Sequence, residues 1–362
     1  MTAVVEHAPD RAPGTRPVET LPKAHLHLHF TGSMRPSTLL DLAERHGVRL
    51  PTALRSSQMV SLSPDARGWF RFQRLYDAAR SCVRTAEDMQ RIVLEAAADD
   101  AAEGSRWLEL QVDPTSYAVH VGGITPALEI VLDAARTASA VTGTQVAVVV
   151  AASRIRHPLD ARALARLAAR YAGEGPGTVV GFGLSNDERR GSTADFAPAF
   201  ALARRAGLAS LPHSGELLGP EHVRETLRTL APDRLGHGVR SGEDPELLAA
   251  LVEAEVALEV CPASNVALGV YPDLADVPLE RLVAAGARVA LGADDPLLFG
   301  PRLAAQYRSA REDHGFDDER LAGLARSSIA ASRAPEEVKR QLLAEVDDWL
   351  RAPVRSSTTT GP

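Results

Sequence analysis

His27, His29, His213, Glu216, His237, Asp294 and Asp295 combine side-chain types suited to metal-assisted hydrolysis. His27 and His29 form a His-x-His pair within the stretch HLHLHF at 25–30. In an extended strand alternate side chains share a face, so the two imidazoles converge on one point. His213 and Glu216 lie in PHSGE, His237 in GHG and the two aspartates in GADD. Taken singly, each reads as well as a structural residue or a helix cap. Together they supply imidazole and carboxylate donors, the set that selects zinc or a similar divalent ion. Such an ion activates water as a nucleophile. Without one, burying several unpaired polar groups would be costly.

Four separate chain segments must bring these residues together. Short apolar runs at 24–30, 106–112, 144–151, 178–183, 206–212, 234–235, 256–260 and 287–291 read as strands, several of them apolar throughout. Strands buried on both faces have that pattern. Amphipathic helical patterns fill the gaps. Thr85-x-x-Asp88 forms a capping box before Met89, Ile92, Val93 and Ala96, and Pro220 and Pro245 suit first helical turns, the latter after Asp244 as cap. Eight strand–helix alternations predict an α/β protein of the (β/α)₈ TIM-barrel type. The metal-type residues then fall at the ends of strands one, five, six and eight, on the face where such barrels carry function. Segment 31–104 is too long for one crossover and predicts extra helices over the barrel mouth. Trp69, Phe70, Phe72 and Tyr76 lie there, and packing is their simplest reading, with pocket lining the less favoured one.

Composition narrows the class. The chain has 362 residues, 45% of them hydrophobic, and a net charge of −7 with no long basic run. That speaks against nucleic acid or membrane as partner and leaves a small molecule. Polar, proline-bearing ends predict disordered tails at 1–18 and 352–362 around a single domain at 19–351. The first twenty residues lack the apolar core of a signal peptide, and the longest apolar run, 146–152, is too short for a bilayer. A cytoplasmic enzyme is the expectation. Cys82 and Cys261 can supply neither a disulfide framework nor a four-thiolate zinc site. Strand four, VVGFGLS at 179–185, has no lysine, glutamate or histidine to bridge two ions, so one metal is expected.

The sequence resembles the adenosine deaminase family of metal-dependent barrel amidohydrolases. The matching blocks are LPKAHLHLH at 21–29, HSGE at 213–216, DRLGHGV at 233–239, LEVCPASN at 258–265 and GADDPLLFG at 292–300, with GFGLSNDE at 181–188 a looser match. The resemblance implies that His27, His29, His213 and Asp294 bind one zinc, which lowers the pKa of a water. It implies that His237 orients that nucleophile and acts as base, and that Glu216 gives a proton to purine N1. Asp295 would hydrogen-bond the nucleophile and N7. His29, Thr31, Asn186 and Asp295 would face the substrate.

Three positions depart from the family. Thr31 stands where nucleoside deaminases usually carry an aspartate for the ribose 5′-hydroxyl and adenine deaminases a glutamate. Asn186 replaces a glycine whose N–H meets purine N3, a place where asparagine tolerates unusual backbone angles. His25 replaces a glutamate and, by period two, would share the histidine face one layer below His27, as second-shell support. The leading expectation is deamination of adenosine or deoxyadenosine. The alternatives are an adenosine with a large 5′ substituent, such as 6-aminodeoxyfutalosine, and then adenine. A catalytically silent purine-binding barrel is disfavoured by the intact set, and a glycosidase by the histidines around Glu216.

Overall fold

The apolar runs form strands that pair side by side and bury both faces. In order they are β1 Lys23–His29, β2 Ser105–Val112, β3 Gln145–Ser153, β4 Val179–Ser185, β5 Ala209–Ser214, β6 Arg234–His237, β7 Ala257–Val260 and β8 Val289–Leu291. The protein, a computed structural model, is described for residues 15–55 and 61–353. All neighbouring strands are parallel, in the order β1 to β8. Beyond β8 the Asp294 backbone closes the ring: the His29 N–H donates to Asp294 O and the Asp294 N–H to His27 O, each at 3.0 Å. The predicted (β/α)₈ barrel is the observed fold, and a metal-type residue is its closing hinge.

β5 extends to Ser214, beyond the predicted end. It pairs with β4 as far as Pro212 and with β6 from His213 onward. Proline, which has no N–H, therefore stands at the change of partner. The capping box at Thr85 and Asp88 forms, and Asp244 caps Pro245–Glu253 through the Glu246 and Leu247 N–H groups. Among its described residues segment 31–104 carries three α-helices, Pro36–Arg45, Ala66–Arg80 and Ala86–Ala102. Segments 1–14 and 354–362 lie outside the described residues. Within the expected tails, Val18 is buried, and Arg16 pairs with Asp318 at 2.9 Å and donates to Leu350 O. Among the described residues no helix is long and apolar enough to cross a membrane.

Lys23, at the start of β1, is fully buried. Its ammonium donates to Val18 O at 2.8 Å and Glu103 O at 2.6 Å, so it caps the carbonyl end of Ala86–Ala102. Burial pulls it down to about 7, against the partial support of Glu103 and Asp100. In the unfolded chain a lysine titrates at about 10.4. Between these values the unfolded chain binds the extra proton, so stability attributable to Lys23 rises with pH and the penalty is complete below pH 7. Relative to Lys23→Met, the native protein should gain about 2 kcal/mol between pH 7 and 9. Urea midpoints of the two proteins check this, and an unchanged difference contradicts it.

Candidate active site

Below the site the barrel interior holds a buried charged network among its apolar side chains. Arg234 donates from Nε to Glu259 at 2.6 Å and from Nη2 to Glu109 at 2.5 Å, and the Trp107 indole donates to Glu109 at 2.9 Å. Glu259 also takes the His27 Nδ1–H at 2.8 Å. Burial opposes the Glu259 charge, but Arg234 and His27 outweigh it and hold the carboxyl at about 2. Glu259 thereby turns the other ring nitrogen of His27, Nε2, towards the barrel mouth.

At that mouth the predicted residues converge. His29 Nε2 lies 3.2 Å from His213 Nε2 and 3.1 Å from Asp294 Oδ1, and His27 Nε2 lies 3.5 Å from the same oxygen. Ligands held at zinc bond lengths of about 2.0–2.1 Å sit roughly 3.0–3.4 Å from one another. Nitrogen facing nitrogen at such a distance, with His27 Nε2 lacking any hydrogen-bond partner among the described residues, is an arrangement that a cation resolves. Ser264 donates to Asp294 Oδ2 at 2.5 Å and leaves Oδ1 to the cluster. Burial and the neighbouring imidazoles keep His213 well below its usual value, hence neutral and free to ligate. Although burial resists it, Asp294 and Glu259 push His27 up to about 10. The extra proton they favour sits at Nε2, the place a divalent ion would take instead. The donor set fits one such ion.

Around this cluster stand the proposed proton carriers. His237 Nε2 is 3.5 Å from Glu216 and 4.0 Å from Asp294. Burial holds His237 down to about 3, so its imidazole is neutral. Glu216 and Asp295 are both raised well above ordinary carboxylates, Glu216 by burial and then by the Asp294 and Glu188 charges. Asp295 fits only because Gly32 has no side chain: a Cβ there would lie 1.8 Å from Asp295 Oδ1. Likewise a Cβ on Gly236 would lie 2.8 Å from His213 Nδ1. Asn186, His237 and Asp294 have left-handed φ values of 80°, 63° and 60°. Residues in this region cluster at functional sites, where the surrounding structure over-determines them.

The remaining predictions are placed differently. His25 does not share the histidine face. The β1–β2 register shifts between His25 and Leu28, and this bulge turns His25 to Asp100 on Ala86–Ala102, at 3.0 Å. Its Nε2 accepts the Ala293 N–H at 3.0 Å, so it braces the β8 end from outside the cluster. Thr31 is fully buried, and its hydroxyl meets the Tyr117 hydroxyl at 2.5 Å. The cavity wall is formed by Tyr117 and Tyr76, and Thr31 is not among its lining residues. Asn186 does line the cavity, with its side chain turned back to accept the Asp187 N–H at 2.8 Å.

The cavity over the cluster measures about 750 Å³ with its open mouth. Trp69, Phe72 and Tyr76 of Ala66–Arg80 line one wall, and Phe72 also stacks on Phe299 with ring centres 5.4 Å apart. Pocket lining, the less favoured reading, holds for these three, while Phe70 is 64% exposed. Gln73, Arg80, Asp113 and Ser116 also line the cavity. Sequence reasoning gave no role to Glu109, Glu259 and Arg234, which pair inside the barrel. Their signal is a charge embedded in an apolar strand, on three strands with compensating sign.

Comparison with known proteins places this geometry. The sequence model of a family described as adenosine deaminase matches residues 22–349. A Streptomyces coelicolor protein, provisionally named adenosine/adenine deaminase, is 64% identical, over 93% of this chain and 99% of its own. An Agrobacterium fabrum protein named adenine deaminase is 36% identical, over 90% and 98%. Among solved structures, adenine deaminase from Arthrobacter aurescens superposes with a TM-score of 0.83 at 30% identity, over 94% of this chain and all of that one. The Arabidopsis N6-mAMP deaminase gives 0.81 at 26% identity, over 91% and 99%.

Proposed function

This chain belongs to the adenosine deaminase family, and from that premise we propose that it hydrolyses the C6 amino group of a purine nucleoside, adenosine or 2′-deoxyadenosine first. The observation that carries this is the placement of Glu216 and His237, both buried and 3.5 Å apart, beside a buried cluster of ligand atoms. His27, His29, His213 and Asp294 are the residues to hold one zinc or similar divalent ion. When bound, such an ion supplies the Lewis acidity that lets water attack at neutral pH.

The protein's own groups carry the rest. Glu216 gives its proton to ring N1, which makes C6 electron-poor. His237 takes the proton that water loses as its oxygen bonds to C6. Asp295 holds the attacking oxygen and purine N7 in line, and Asn186 forms the wall at the N3 edge. The C6–N6 bond then breaks, the nitrogen leaves as ammonia with a proton returned through the site, and a 6-oxopurine remains.

Nucleoside over free base is supported by the polar side chains Gln73, Arg80, Asp113 and Ser116, which line the cavity in addition to the ligand cluster. A second reading, adenosine with a larger 5′ substituent, is favoured by the neutral Thr31–Tyr117 pair where a carboxylate would grip a free 5′-hydroxyl. The relatives named adenine deaminase support adenine as the third candidate. Ammonia release from adenosine, 2′-deoxyadenosine, adenine and 5′-substituted adenosines, measured side by side, separates them. The expected order in kcat/KM has the two nucleosides first. A tenfold preference (about 1.4 kcal/mol) for adenine or for a 5′-extended nucleoside replaces the first choice.

A further inference from the structure

The segment that carries Glu216 has no regular backbone pairing. It leaves β5 at Ser214, turns through Gly215 at φ +76°, and runs without helix or strand to the helix Pro220–Leu230. The turn exposes three successive N–H groups to one buried carboxylate. Glu188 Oε1 accepts the Glu216 N–H at 3.2 Å, and Oε2 accepts those of Leu217 and Leu218, both at 2.8 Å. The Glu188 side chain has no exposed surface. His222 is 4.0 Å away and is kept below its usual value by burial, so the three amide N–H groups are the direct hydrogen-bond partners of Glu188, with the buried Arg154 guanidinium adding a favourable charge from further off. The opposite faces of the same peptides are held by Arg240, whose backbone N–H donates to Gly215 O at 3.0 Å and whose Nη1 donates to Leu217 O at 2.8 Å.

We propose that Glu188 is the positioning residue for Glu216, its carboxylate fixing the 216–218 backbone and so the place from which Glu216 meets the purine ring. This rests on the proton-donor reading of Glu216 given above. The Glu216 side chain projects from a backbone whose own N–H is one of the three clamped, so slack in the clamp moves the carboxyl directly. A misplacement of about 1 Å in a reacting group costs roughly 10²-fold in rate. Glutamine at 188 keeps the volume but presents an N–H₂ where two carboxylate oxygens receive three donors, so at least one clamped N–H loses its acceptor. Glu188 touches neither ion nor substrate in this account, so the effect should fall on turnover and spare binding.

The test is a double-mutant cycle on the metal-loaded enzyme, read by kcat, KM, bound metal and cooperative unfolding. Glu188→Gln should lower kcat by about 10–100-fold, with KM within about threefold of wild type and one ion retained. Combined with Glu216→Gln, it should cost less than about threefold more, because the group it positions is already gone. Glu188→Asp, which keeps the charge but draws it back from the turn, should show the same coupling and serves if Glu188→Gln does not fold. The proposal is overturned by near-wild-type kcat in both Glu188 variants, or by the same loss with and without Glu216. Full activity of Glu216→Gln alone would remove the proton-donor reading and this proposal with it. A silent Glu188 beside a disabled Glu216→Gln removes only the proposal.

Discussion

Glu216→Gln is expected to keep its divalent ion and to lose turnover by about 10²–10⁴-fold, the range associated with a positioned general acid. Glu216 is 3% exposed, and burial together with the Asp294 and Glu188 charges raises its carboxyl well above the usual range. That shift favours the protonated carboxyl that a general acid needs. Glutamine preserves the shape and still offers an N–H to purine N1, so KM should change little. An amide cannot give up that hydrogen as a proton, so kcat should fall. The pH profile should change in one direction: in the wild type the acid is lost as pH rises through the raised Glu216 value, and in Glu216→Gln that alkaline limb disappears. Steady-state kinetics on the preferred nucleoside, with metal analysis of the same preparation, check both parts. Wild-type turnover in Glu216→Gln would sink the assignment.

Asp294→Ala should fail more broadly. Asp294 Oδ1 faces both His27 and His29, while its backbone closes the barrel between β8 and β1. Removing the carboxylate should weaken ion binding by at least about 100-fold, the upper range seen for loss of an outer-shell partner. Turnover should drop by about 10³-fold or more, in line with the several kcal/mol that a Lewis acid contributes. Alanine at φ +60° adds about 1 kcal/mol of backbone strain, because it lacks the short polar side chain whose local hydrogen bonding lets aspartate adopt the left-handed region. Asp294→Asn separates these effects: it should bind the ion poorly yet unfold closer to wild type, since asparagine tolerates the left-handed region. Metal content, kcat and thermal midpoint of the pair provide the measurement. An Asp294→Ala protein that still holds one ion tightly contradicts the ligand set.

Most of the barrel could be read from the chain because its strands are apolar runs with punctuated ends. β3 shows this, with Val146 to Ala152 all buried between the two faces. The ends were harder to place, since β5 continues through Pro212 by changing its partner strand. The converging residues His27, His29, His213, Glu216, His237, Asp294 and Asp295 were legible from their position after strands. His25 was misplaced because period two assumes a regular strand, and the bulge at 26–27 that turns it outward has no composition signal. Thr31 looked like a substrate contact because its partner Tyr117, 86 residues away, is set only by tertiary structure. The same reason hides Glu188: nothing in NDE says that its carboxylate will reach the backbone of residues 216–218. Trp69, Phe72 and Tyr76 were ambiguous for another reason, since an aromatic helix face packs and lines a pocket with the same spacing.

The central claim is that one divalent ion in the His27–His29–His213–Asp294 cluster makes this barrel a 6-aminopurine deaminase. Its most direct measurement is ammonia release from adenosine by chelator-stripped protein as zinc is added back. The account predicts negligible release from the stripped protein, a linear rise with added ion, and a plateau at one ion per chain, with inosine formed in equal amount. Release that is unchanged by stripping, or absent from every 6-aminopurine at full metal loading, would contradict it.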